Sequence, residues 1–120
     1  MIKIFHLSTC STCQRILKNL DLPSGTKFQD IKELGVSKLD LLKMRKSVGS
    51  YEAVFSRRAM KYRGMGLHER DLTETDFERL ILEEYTFLKR PVIFVNDHVF
   101  VGNSKKVVAA AKAAIHSENK

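Results

Sequence analysis

Residues 2–20 read IKIFHLSTCSTCQRILKNL, and the reading of this stretch decides the fold. IKIFHL at 2–7 starts with alternating apolar and polar residues and then runs apolar, which is a strand signal. Ser8 to Thr12 form a polar loop. Ser11 or Thr12 is the expected N-cap of a helix through CQRILKNL, with Ile16, Leu17 and Leu20 on its apolar face. DLPSG at 21–25 then reads as a turn and TKFQDI at 26–31 as a second short strand. A right-handed crossover through the helix makes these two strands parallel neighbours.

Working outward, a further helix is expected from Ser37, with Leu39, Leu41, Leu42 and Val48 on its apolar side and VGS at 48–50 ending it. The stretch from Tyr51 to about Tyr62 mixes helical and loop signals, and GMG at 64–66 breaks the chain. TETDFERLILEEY at 73–85 is the clearest helix, with Thr73 as cap and Asp76 three residues later as its box partner. RPVIFVNDHVFVGN predicts a hairpin with strands at 92–95 and 98–101 around an Asn-Asp turn. SKKVVAAAKAAIHSENK at 104–120 reads as an amphipathic helix that frays at its end. The order is β-α-β, an all-helical insertion, then β-β-α. That order predicts a thioredoxin-like, glutaredoxin-type α/β fold. It has a mixed four-stranded sheet in one domain over residues 1–120, with the insertion at about 37–85.

The composition fits this reading. The 120 residues are 43 % hydrophobic and 29 % charged, enough apolar content for a packed core. No apolar run is long enough to span a membrane and no signal peptide is visible, so a cytoplasmic location is expected. The net charge of +7 raises nucleic-acid binding as an option. Lys and Arg are spread along the whole chain, however, and the densest groups, KMRK and RRAMKYR, have few aromatics between them. A protein that handles anionic small molecules without direct nucleic-acid or membrane contact is the expectation.

Cys10 and Cys13 are the only cysteines. In a reducing compartment a permanent disulfide staple is disfavoured. A structural zinc site would need two more ligands, and His6, His68, His98 and His116 form no close pair, so no metal is expected. Core packing would account for one cysteine better than for two flanked by Ser and Thr. A reactive pair has a mechanism. The amide N–H groups that open a helix carry positive partial charge and favour a thiolate or a bound oxyanion. Cys10 falls just before the helix, and Cys13 falls in its first turn, where it could attack a mixed disulfide on Cys10.

These residues resemble the ArsC/Spx family of thioredoxin-fold proteins, which includes glutaredoxin-coupled arsenate reductases and Spx-type redox-sensing transcription regulators. The resemblance is carried by residues 2–20, by VFSRRAMKYRGMGL at 54–67 and by FLKRPVIFVNDHVFVGNSKKVV at 87–108, with the Arg-Pro pair ahead of a buried strand as its most specific part. It implies that Cys10 is the nucleophile and that Arg90 and Arg58 are anion-binding. Arg57, one position earlier, is the alternative to Arg58, and a reductase-like alignment would fall nearer Ser56. It also implies that Pro91 is cis and faces the active cysteine. The arginine that reductases carry in the last hairpin is replaced here by VGNS at 101–104. The cysteine pair is the arrangement of the redox-switching members, which bind the RNA polymerase α subunit through a glycine that would fall near Gly49 or Ser50.

Ser8, Ser11 and Thr12 are candidates either to donate to an anion or to cap the helix, and His6 is a candidate proton-transfer group or a satisfied sheet residue. The function expected is a thiol-disulfide oxidoreductase acting on arsenate or on a glutathione or protein disulfide. It would be a monomer with no bound cofactor, and glutathione, glutaredoxin or thioredoxin would be the reductant. The alternative is an Spx-like regulator that contacts the polymerase α subunit.

Overall fold

The computed structural model describes residues 1–118, and the chain divides into two compact units. The first comprises Met1–Leu34 and Arg90–Lys120, the second Gly35–Lys89. No helix among the described residues is long and apolar enough to cross a membrane.

The first unit contains β1 (Ile2–His6), α1 (Ser11–Asn19), β2 (Lys27–Asp30), α2 (Ile31–Leu34), β3 (Val92–Val95), β4 (His98–Val101) and α6 (Lys105–Glu118). The sheet order is β2-β1-β3-β4. β1 and β2 run parallel, as the crossover through α1 requires, and the β1–β3 and β3–β4 pairs are antiparallel. This is the mixed four-stranded sheet expected from the sequence. Burial follows the order. Interior β3 (VIFV) is buried along its whole length, whereas edge strand β2 leaves Lys27 and Phe28 in water. Asn96 sits in the hairpin turn at φ 52°, a left-handed angle that asparagine tolerates. Ile2, Ile4, Ile16, Leu20, Ile93, Val95, Val108, Ala111 and Ile115 form one core. Each fully buried aliphatic side chain contributes about 1.5–3 kcal/mol. In α6, Val108, Ala111 and Ile115 recur at helical spacing, so one stripe of an alanine-rich helix is buried. The fraying expected at its end falls on residues 119 and 120, outside the described residues.

The second unit corresponds to the insertion and carries α3 (Lys38–Val48), α4 (Met60–Gly64) and α5 (Glu74–Glu83). Ser37 caps α3, its hydroxyl accepting the Asp40 N–H at 3.0 Å, and Gly49 ends the helix at φ 101°, where a side chain would be strained. The apolar face of α3 differs from the expected one: Leu41 and Met44 are buried, while Leu39 is 63 % exposed. At 100° per residue Leu39 lies about 160° around the helix from Leu41, so the two cannot share a face. Phe55 centres an aromatic cluster, with ring centroids 4.9 Å from Phe77 and 5.0 Å from Phe87. The 3.2 and 2.9 Å hydrogen bonds of Thr73 and Asp76 form the expected capping box of α5.

Candidate active site

The site grows from the turn that leaves β1. Cys10 N–H donates to the Leu7 carbonyl at 2.9 Å, and the Cys10 carbonyl accepts the first helical bond, from Gln14 N–H at 3.0 Å. Cys10 is therefore itself the N-cap of α1, with extended angles (φ −89°, ψ 114°). The expectation of Ser11 or Thr12 at the cap is corrected. The tight turn closes at Cys10, so the helix starts one or two residues earlier, and Ser11 and Thr12 occupy its first two positions. Ser11 is exposed and Thr12 half-buried.

With a thiol at the cap, no conventional side-chain cap hydrogen bond forms. The sulfur nonetheless lies where the helix amides can act on it. Burial opposes ionisation of Cys10 and is the largest single influence. The Cys13 amide, the Cys13 thiol, the Arg90 guanidinium and the Thr12 amide together outweigh it, and the Cys10 pKa falls below the ordinary thiol value. Cys13 goes the other way. It is fully buried, and burial together with the negative charge on Cys10 pushes its pKa up to about 11, against the opposing pull of the Leu7 backbone and Arg90. The two thiols are free, and they pair as a thiolate acceptor and a protonated donor.

Arg90 reaches this turn through the sheet. In the antiparallel β1–β3 register Phe5 lies opposite Val92, so the chain entering β3 passes the end of β1 that leads to Cys10. Arg90 is half-buried and the Arg90–Pro91 peptide bond is cis, the isomer the resemblance implies. Pro91 is buried, and its carbonyl accepts the Gly102 N–H at 2.9 Å.

A second layer of contacts holds the turn. Ser8 Oγ donates to Asp30 Oδ2 at 2.5 Å, and Gln14 Nε2 donates to the Ser8 carbonyl. Asp30 Oδ1 accepts the Lys32 N–H at 3.0 Å. The Ser8 hydroxyl and then the Lys32 amide draw the Asp30 pKa below its usual range. Ser8 thus spends its hydroxyl on Asp30 and not on a helix cap. Asp30 and Gln14 escaped the sequence reading; the only signal was that β2 ends on a carboxylate next to a Ser-rich loop. His6 pairs in register with Asp30 and packs edge-on to Phe28, with ring centroids 5.7 Å apart.

Arg58 and Arg57 belong to the second unit. Arg57 is bound to Glu52 at 2.7 Å, and its guanidinium carbon lies 5.6 Å from the centre of the Phe77 ring. Arg58 is exposed in the turn ahead of α4.

The structure brings together Cys10, Cys13, Arg90, Pro91 and the first amides of α1, an arrangement suited to holding a thiolate beside an anion. Comparison with known proteins bears on the family. Several solved structures share the fold. A protein named YffB superposes with a TM-score of 0.77 at 23% identity, covering 92% of this chain and 98% of that one. An arsenate reductase from Vibrio cholerae gives 0.75 at 17%, covering 92% and 96%. An arsenate reductase (ArsC) related protein from Brucella melitensis gives 0.68 at 21%, covering 91% and 92%. A search of curated proteins returned no match. The family profile described as the ArsC family matches residues 5–111, nearly the whole length, and the chain therefore belongs to the ArsC family.

Proposed function

We propose that the protein is a thiol-disulfide oxidoreductase with Cys10 as nucleophile and Cys13 as resolving thiol. The observation that supports this most directly is the opposite treatment of two thiols in one helical turn, one ionised more easily and the other held protonated. With a glutathione or protein disulfide R–S–S–R′, the Cys10 thiolate attacks one sulfur, forms Cys10–S–S–R and releases R′–S⁻, which takes up a proton from solvent. Cys10 no longer carries charge, so one cause of the raised Cys13 pKa disappears. Cys13 then loses its proton and attacks the Cys10 sulfur. It forms the Cys10–Cys13 disulfide and releases R–S⁻. A dithiol donor such as glutaredoxin or thioredoxin, or two molecules of glutathione, returns two electrons and two protons.

With arsenate, Cys10 displaces water at arsenic. Attack by Cys13 or glutathione on the Cys10 sulfur then leaves the electron pair on arsenic and releases arsenite. Arg90 and the amides and hydroxyls of Ser11 and Thr12 hold the anionic group, since a guanidinium stays charged and offers paired donors. Arg58 keeps the cationic role that the resemblance gives it, tested by a rise in KM in Arg58→Ala.

Turnover of arsenate and of a glutathione mixed disulfide, coupled to glutaredoxin, tests the reading. Activity that survives Cys10→Ser, or no turnover of either substrate, rejects it. The cysteine pair also supports a regulator whose disulfide alters a surface for the RNA polymerase α subunit. Pull-down of that subunit that appears only after oxidation would favour this second reading.

A further inference from the structure

The turn carrying Cys10 is short and polar, and such turns rely on side-chain hydrogen bonds to stay in one shape. Two contacts converge on Ser8 from different elements. Asp30, at the end of β2, takes the Ser8 hydroxyl proton at 2.5 Å, and Gln14, on the first turns of α1, donates to the Ser8 carbonyl. Asp30 is itself fixed, because its other oxygen holds the Lys32 N–H at 3.0 Å. Between Ser8 and the sulfur there is only Thr9. The turn is tied further by the 2.9 Å bond from Cys10 N–H to the Leu7 carbonyl, by the Ser8 backbone on Asp30 and by the Leu7 backbone on Cys13.

We propose that Asp30 and Gln14 are positioning residues for the reacting thiol: by clamping Ser8 from the strand side and the helix side, they hold the Leu7–Cys10 turn so that the Thr12 and Cys13 amides and Arg90 face the Cys10 sulfur. The proposal rests on the oxidoreductase reading. A charge-assisted hydrogen bond to a carboxylate is stronger than a neutral one, so the Ser8–Asp30 contact is the stronger half of the clamp. Asp30 acts through geometry and against its own charge, since a carboxylate near Cys10 by Coulomb's law disfavours the thiolate. The two effects therefore have opposite signs and can be separated.

The test is the pH dependence of iodoacetamide alkylation of Cys10 in the full chain, read by mass. Ser8→Ala removes the hydroxyl bond and keeps the charge and the Ser8 backbone contact to Asp30. The midpoint should rise, and the rate at pH 7 should fall about three- to tenfold. Asp30→Asn removes the charge, and its amide can still bond the Ser8 oxygen and accept from Lys32 N–H. Its midpoint should not rise. Gln14→Met removes the other half of the clamp at nearly constant length and should move the midpoint up, as Ser8→Ala does; it decides the matter if Ser8→Ala does not fold. A wild-type midpoint retained in both Ser8→Ala and Gln14→Met, with or without a fall in Asp30→Asn, overturns the positioning role and leaves the oxidoreductase reading standing. An ordinary wild-type midpoint sinks both.

Discussion

At the start of α5 the Thr73 hydroxyl and the Asp76 carboxylate each accept a backbone N–H, at 3.2 and 2.9 Å. At the start of α1 the same place is held by the sulfur of Cys10, and no conventional cap bond forms. Both helices open with amides that lack intrahelical partners. In α5 those amides are satisfied by oxygen acceptors, which favours stability. In α1 they face a thiol that gains from them only when ionised, so their partial charge lowers the Cys10 pKa. The comparison teaches that a helix start can be built to stabilise the fold or to prepare an anion, and that the capping residue decides which.

The largest expected effect comes from exchanging one design for the other. Cys10→Ser replaces the sulfur by an oxygen cap, and thiol exchange should fall at least about a thousandfold. At a pH below the folded Cys10 pKa, where the wild-type thiol is protonated and caps poorly, the same variant should be more stable by up to about 1 kcal/mol. Denaturant unfolding of both proteins at that pH checks the second half; a less stable variant would show that sulfur caps α1 as well as oxygen does.

The next effect separates the two thiols by pH. The Cys13 pKa is raised in the fold, so its contribution to stability is complete below the unfolded thiol value of about 8.5 and is lost as pH rises toward about 11. The Cys10 pKa is lowered, so its contribution is present above the unfolded value and is lost as pH falls through the folded one. Unfolding midpoints should therefore fall at both ends. Cys13→Ala should shrink the alkaline fall, leaving the part due to Tyr51, whose pKa burial and Glu78 also raise. It should also weaken the acid-side fall, because the Cys13 thiol no longer supports the Cys10 thiolate. An alkaline fall undiminished in Cys13→Ala would assign it to other groups.

The smallest effect is at the other helix. Thr73→Ala should cost about 1 kcal/mol and leave the alkylation midpoint of Cys10 where it was. A midpoint that moves with Thr73 would show that the two helix starts are not independent.

Much of this was legible in the sequence because it is local. Alternation in residues 2–7, the Ser37 cap, the Thr73–Asp76 box and the Asn96–Asp97 turn each depend on neighbours within a few positions, and all are present in the structure. The misreadings were also local but finer. Leucine content alone puts Leu39 on a face that helical geometry denies it, and the preference of helix starts for Ser and Thr over Cys puts the cap of α1 one or two residues late. Asp30 and Gln14 were missed because a hydrogen bond between β2 and the loop after β1 has no signature in linear spacing.

The sequence by itself determined that two thiols stand where the first strand passes into a helix, and that an Arg-Pro pair precedes a buried strand. It could do so because strand alternation, turn chemistry and helix period are written in short stretches. Only the tertiary structure decided which thiol is buried, that Arg90 arrives beside Cys10, and that Asp30 grips Ser8. Those outcomes depend on β1 pairing with β2 on one side and β3 on the other, which brings distant parts of the chain together at one end of the sheet.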